Sequence, residues 1–251
     1  METDLQRYLV KMDRNLNILE VQLICWQVIR GQFHLQKMDI CHRDMKPQNL
    51  LLDVETGLLK ISDFGAALFE PKKHPQNPYQ VIRYYRTPEL LLNSKHYGCE
   101  SDIWSMRCIF GELLKGDDTD HQTCLIYQML GPPSVEERKE MRVSEKRHMG
   151  IRVKSDYHSR IEKNGHTARY NEYIASRDMK EGVNLVRQML VYSPGKRLAG
   201  LKLRMDRFFL PIFSEHAVRT KERKIECLTA KDRKDIEAGD TTVTGTGGKS
   251  M

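Results

Sequence analysis

The chain has 251 residues, 39% of them hydrophobic and 30% charged, with a formal net charge of +7. That is enough apolar sequence for one globular domain with its own core, and it does not fit a disordered chain. No apolar run reaches the roughly 18–20 residues of a membrane helix, and the first residues lack the basic and apolar regions of a secretory signal.

The charge pattern argues against a nucleic-acid partner. Lys and Arg are interleaved with acidic residues, as in Glu136-Glu137-Arg138-Lys139-Glu140, which reads as a solvated face. The cysteines (Cys25, Cys41, Cys99, Cys108, Cys124 and Cys227) form no C-x-x-C pair and no zinc spacing. They are expected to be reduced thiols, as in the cytoplasm or nucleus.

In chain order, Leu5, Leu9 and Met12 predict a short amphipathic helix over about residues 2–15. Val21, Ile24, Cys25, Val28 and Leu35 predict a longer helix over about 18–38, capped by Asn17. The period then changes. Leu50-Leu51-Leu52 and Leu58-Leu59-Lys60-Ile61 are short apolar runs joined by Asp53-Val54-Glu55-Thr56-Gly57, which predicts a hairpin. Residues 66–88 contain Pro71, Pro75 and Pro78 without a clear period, so a long loop is expected. Helical patterns return at about 101–114, 120–130 and 180–191, and the stretch 140–178 is polar and weakly patterned. From 214 the chain turns charged and ends in a polar, glycine-rich run. Residues 1–213 therefore read as the domain and 214–251 as a disordered tail.

The chemistry sits around the hairpin. His42-Arg43-Asp44-Met45-Lys46-Pro47-Gln48-Asn49 is an H-R-D-x-K-x-x-N match, and Asp63-Phe64-Gly65 follows it. Each alone is a weak signal. In this order, flanking a predicted hairpin, they are the catalytic-loop and metal-loop signatures of protein kinases. Phosphoryl transfer needs a hydroxyl held in line and phosphate charge neutralised. Asp44 is the candidate acceptor of the hydroxyl proton, and Lys46 is the point charge for the transferred phosphate and its nucleotide. Asn49 and Asp63 offer the oxygen ligands that Mg²⁺ prefers. His42 reads as a packing residue, and Arg43 as a partner for a phosphate or carboxylate on the long loop.

Further along, Thr87-Pro88-Glu89 resembles the A-P-E that closes a kinase activation segment. Asp102-Ile103-Trp104-Ser105 and Ser193-Pro194-Gly195-Lys196-Arg197-Leu198 follow in the expected order. The resemblance implies a structural ion pair between Glu89 and Arg197. It also implies that Asp102 bonds the backbone of the catalytic loop.

The stretch from Ile40 to Asp53, with Arg83-Tyr84-Tyr85-Arg86, resembles glycogen synthase kinase-3. The likeness is close over about residues 18–115 and looser over 116–213. It implies the protein-kinase α+β fold, here the mainly helical C-terminal lobe with its small β-hairpin. The N-terminal β lobe is expected to be absent, because no G-x-G-x-x-G loop or V-A-I-K lysine precedes the catalytic loop. The implied activity is ATP- and Mg-dependent phosphorylation of protein Ser/Thr. Tyr79 stands where the family carries an activation-loop phosphotyrosine, and Arg83 belongs to the same segment.

Several positions depart from the family's pattern. Ile82 replaces a serine that bonds the catalytic Asp and Lys. Leu68 replaces a lysine that helps bind pre-phosphorylated substrate. Arg107 replaces the glycine of D-x-W-S-x-G, and Lys115-Gly116-Asp117-Asp118 replaces a segment that shapes the substrate groove. The expected missing lobe, with Ile82, Leu68 and Arg107, supports a second reading, a catalytically silent truncated kinase lobe acting as a binding or scaffold module, with a scaffold or regulatory protein as its partner.

Overall fold

The computed structural model describes residues 1–73, 85–92, 94–115, 134–142, 181–182, 185–186, 188–189, 191–197, 200–232 and 234. The chain opens with a short strand, β1 (Thr3–Asp4), which pairs antiparallel with β3 (Leu50–Leu52). Asp4 ends that strand and caps helix α1 (Leu5–Lys11), its carboxylate accepting the Arg7 N–H at 3.0 Å. The helix is shorter than the apolar spacing predicts. Thr3 and Asp4 are drawn into the sheet at one end, and Asp13 and Arg14 turn left-handed (φ 49° and 51°) at the other.

Helix α2 (Ile18–Lys37) is the axis of the molecule and matches its predicted span. Asn17 caps it through Oδ1, which accepts the Glu20 N–H at 2.9 Å. Val21, Ile24, Cys25 and Val28 are buried as expected, and Trp26 is fully enclosed. The helix packs on the later helix α4 (Glu100–Lys115), on strand β4 (Leu59–Ile61) and on the segments 200–204 and 207–213. Gly31 allows the approach to β4, because a Cβ there would lie 2.7 Å from Ile61 Cδ1.

The predicted hairpin forms from β3 and β4 (Leu59–Ile61), with Leu50 opposite Ile61 and Leu52 opposite Leu59. With β1 it makes a sheet of order β1-β3-β4. A second ribbon pairs β2 (Ile40–Cys41) with β5 (Leu68–Phe69), setting Cys41 opposite Leu68. The start of the predicted long loop is thus held against the strand that enters the catalytic loop. Two residues per strand are too few for a period-2 signal in the sequence.

Helix α3 (Pro88–Leu91) begins with Thr87 as its cap, and α4 (Glu100–Lys115) follows close to its predicted span. A helix over Val135–Glu140 starts with a Ser134–Glu137 capping box. The described residues from 181 to 189 are helical. The predicted helix at 120–130, residues 143–180 and the last seventeen residues of the chain lie outside the described residues, as do Tyr79, Ile82, Arg83 and residues 116–118.

The expected disordered tail is corrected over its first part. Residues 214–232 fold back on α2, with β6 (Val218–Arg219) paired to β7 (Arg223–Lys224). Charge made this segment look solvated, but Arg219 is buried and faces the buried carboxylate of Glu20 at 3.6 Å. Among the described residues no helix is long and apolar enough to cross a membrane, and the described cysteines are free thiols.

Two buried arginines near the Trp104 ring behave oppositely. Arg197 forms a bidentate pair with Glu89, at 2.8 and 2.7 Å, and also donates to the carbonyls of Val191, Tyr192 and Glu100. Arg107 on α4 lies 4.1 Å from the Trp104 ring centre, and among the described residues none of its three side-chain nitrogens has a hydrogen-bond partner. Burial drives this guanidinium well below its ordinary pKa, helped by the charge of Arg197.

Glu89→Ala strands the Arg197 cation and should cost about 3–5 kcal/mol in urea denaturation. An unchanged midpoint would contradict a structural pair. Arg107→Met keeps the volume and helix propensity while removing an unsatisfied charge, so it should stabilise the chain by about 1–3 kcal/mol. A lower melting temperature would show that the contact with Trp104 outweighs the burial cost.

Candidate active site

The site is assembled from three pieces: the loop after β2, the hairpin β3–β4 and the N-terminal turn of α4. Asp102 on α4 is fully buried. Its Oδ2 accepts the His42 N–H at 2.7 Å, and its Oδ1 accepts the Arg43 N–H at 2.9 Å. Burial pushes its carboxyl above the usual range, and the two backbone donors pull it back. The grip on these amides is what holds Arg43 in the left-handed region, at φ 64°.

His42 is equally enclosed. Its Nε2 is 2.9 Å from the Ser62 carbonyl, and its Nδ1 is 3.3 Å from the Asp44 N–H. A carbonyl can only accept and a backbone N–H can only donate, so the partners assign the neutral tautomer protonated on Nε2. Phe64 packs edge-on against the same ring, with centroids 4.9 Å apart. His42 therefore connects the loop to the segment after the hairpin.

Asp44 stands at the centre. Lys46 Nζ donates to its Oδ2 at 2.7 Å, and Asn49 Nδ2 donates to the same oxygen at 3.0 Å. Asn49 Nδ2 also holds the Asp44 carbonyl, at 2.8 Å. The Asp44 and Lys46 side chains are 15% and 17% exposed, open enough to meet a substrate yet partly shielded from water. A lysine and an amide on one carboxylate oxygen leave Oδ1 to accept a proton or orient a hydroxyl.

The hairpin brings Asp63 back to this place. Ser62 donates from both N and Oγ to the Asn49 carbonyl, at 2.9 and 3.0 Å. Asp63 follows in the left-handed region (φ 61°), with its exposed side chain accepting, among the described residues, the Gly65 N–H at 3.3 Å. The donor chemistry fits a hard cation. Asn49 has committed its NH₂ to Asp44, so its oxygen is the amide atom left for a metal, and Asp63 offers a carboxylate. Among the described residues no three His, Cys, Asp or Glu side chains form a metal cluster.

Arg43 does not meet a carboxylate among the described residues. Its Nε donates to the Ala66 carbonyl at 2.5 Å, and its side chain also hydrogen-bonds Tyr97. It therefore ties the segment after Asp-Phe-Gly to the turn before α4. Two supporting contacts escaped the sequence reading. Ser105 Oγ donates to the Tyr85 carbonyl at 2.8 Å, and the Tyr85 hydroxyl donates to Glu112 at 3.0 Å, holding the end of the loop on α4. Neither pairing has a sequence pattern, since Ser–Tyr and Tyr–Glu bonds occur at any spacing.

Residues 1–209 match the family described as Protein kinase domain. The chain is 32% identical over 209 residues to "Glycogen synthase kinase 1" of Pyricularia oryzae, covering 81% of this chain and 50% of that one. It is 31% identical over 212 residues to "Protein kinase gsk31" of Schizosaccharomyces pombe, with coverage of 82% and 52%. It is 31% identical over 215 residues to "Protein kinase MCK1" of Saccharomyces cerevisiae, with coverage of 83% and 55%. The chain thus spans about half the length of the curated relatives it matches. The matched region holds the loop, the hairpin and α4 that build the site, and with it the chain belongs to the protein kinase family and resembles its glycogen synthase kinase-3 members.

Proposed function

We propose that this chain carries the phosphoryl-transfer half of an ATP- and Mg-dependent serine/threonine protein kinase of the glycogen synthase kinase-3 type. The observation that carries the reading is the convergence of Lys46 and Asn49 on one oxygen of Asp44. In the proposed reaction Asp44 orients the attacking hydroxyl and takes up its proton. Lys46 leaves Asp44 to neutralise the transferred phosphate. Asn49 and Asp63 would hold magnesium, which would supply the positive charge that phosphoryl transfer requires. Protein Ser/Thr side chains are the proposed substrates, and ATP the proposed donor. In this reading the chain corresponds to the C-terminal lobe, and Tyr79 and Arg83 act within the activation segment.

A second reading is a silent lobe that docks a scaffold or regulatory protein. The specific observation in its favour is the exposure of Phe64 and Phe69 beside the site, at 48% and 61%.

Titration of the chain with ATP, with and without magnesium, separates the two. Under the kinase reading the wild type binds Mg-ATP, and Asp63→Asn weakens binding at least about tenfold by losing a charged ligand. Asp44→Asn should keep that binding and lower phosphorylation of a serine peptide by about 10²–10⁴. A wild-type chain with no Mg-dependent ATP binding would support the silent lobe.

Substrate choice gives a separate check. Leu68 sits in β5, opposite Cys41, and brings no cation to that position. Pre-phosphorylated peptides should therefore be phosphorylated no faster than unphosphorylated ones in a kinase assay. A strong preference for the primed peptide would refute this.

A further inference from the structure

The β3–β4 hairpin presents Asn49 at one end and Asp63 at the other, yet its strands are three residues long. Hairpins of this size are marginal alone. Its turn, Asp53–Leu58, is held from two sides. From the core side Gln27 of α2 donates to the Gly57 carbonyl at 2.9 Å and accepts the Leu59 N–H at 2.9 Å. From the other side comes Arg219, a residue beyond the matched domain.

Arg219 is fully buried, and its guanidinium reaches four groups. Nη1 donates to the Val54 carbonyl at 3.0 Å, Nη2 donates to the Glu55 carbonyl, and Nε donates to the Lys224 carbonyl at 3.0 Å. Glu20 Oε1 lies 3.6 Å from Nη1. The fit to the turn is close. Gly57 has φ +76°, and a Cβ on it would stand 2.9 Å from Arg219 Nε.

Anchoring of the C-terminal segment does not need these turn contacts. Thr220 N–H donates to Glu20 Oε2 at 3.1 Å, Asn17 N–H donates to Thr220 Oγ1 at 2.9 Å, and Asn17 Nδ2 donates to the Val218 carbonyl at 3.0 Å. Tyr8 completes the Glu20 carboxylate at 2.8 Å. The segment is thus fastened to α2 by its neighbours, while Arg219 directs two of its nitrogens to the hairpin turn.

We propose that the segment Val218–Lys224 is a brace for the catalytic hairpin, with Arg219 as a positioning residue for Asn49 and Asp63. The guanidinium fork fixes two successive turn carbonyls at once, which a point charge cannot do. The turn is then closed, and the two strands deliver their ends in register. The consequence for magnesium rests on the phosphoryl-transfer reading above, whereas the bracing itself does not.

The test uses the full chain and two readouts. Hydrogen exchange of residues 50–63 reports the brace, and magnesium-dependent ATP affinity reports its consequence. Arg219→Lys keeps a cation for Glu20 and loses the fork. It should speed exchange in 50–63 by about tenfold, the loss of roughly one charge-assisted hydrogen bond. It should also weaken ATP binding in magnesium while leaving binding in EDTA unchanged. Gly57→Ala strains the turn directly at its left-handed φ of +76° and serves as the positive control for faster exchange in 50–63. Thr220→Val should loosen 214–224 and spare 50–63.

Unchanged exchange in 50–63 for Arg219→Lys would overturn the brace. So would faster exchange spread evenly over the whole chain. Faster local exchange in a chain that never binds Mg-ATP would instead uphold the brace and remove the kinase reading. Faster exchange with unchanged magnesium-dependent affinity would overturn the positioning role alone.

Discussion

The site depends first on a carboxylate that never meets solvent. The loop after β2 turns so sharply that the N–H groups of His42 and Arg43 point inward, where water cannot satisfy them. An orphaned buried donor costs about 1–3 kcal/mol. Asp102 answers both donors and accepts its own burial as the cost of doing so. Once these amides are fixed, His42 reaches Ser62, Asp44 is set by His42 and Asn49, and Phe64 lies on the imidazole. The position of α4 thereby sets the position of every side chain proposed to act.

The same physical device recurs away from the site. Short ribbons and single-turn helices bury little apolar area, so distant segments are joined by carboxylate–guanidinium pairs inside the core. Glu89–Arg197 joins α3 to residues 191–197, and Glu20–Arg219 joins α2 to the C-terminal segment. In each the arginine spends its remaining donors on backbone carbonyls, which is what makes a buried pair tolerable. Arg107 is the exception, a guanidinium with an aromatic face and, among the described residues, no acceptor. It stands where the D-x-W-S-x-G motif would place a glycine, and among the described residues α4 encloses it without offering a hydrogen-bond partner.

Much of the site was legible in the residues. The H-R-D-x-K-x-x-N and D-F-G segments, separated by two leucine-rich runs, announce a loop, a hairpin and a metal-binding turn. The structure has that hairpin and places Lys46 and Asn49 on Asp44. Asn17 was readable as a cap because capping is a local contact between residues three apart. The role of Arg43 was not readable. An arginine can serve any acceptor within reach, and which acceptor arrives is decided by where Ala66 and Tyr97 are carried. The ribbon β2–β5 was hidden because two-residue strands have no period.

The sequence by itself determined the family, the long central helix, the hairpin and the chemical types gathered around it. These follow from local spacing and from motifs whose residues sit within a few positions of one another. Tertiary structure alone decided that a charged segment after residue 213 is part of the folded unit. It also decided that Arg107 is buried without a partner while Arg197 and Arg219 are buried with one. The reason is the same in each case. The cost of burying a charge is set by the groups brought to it in space, and those groups lie as far as two hundred residues away along the chain.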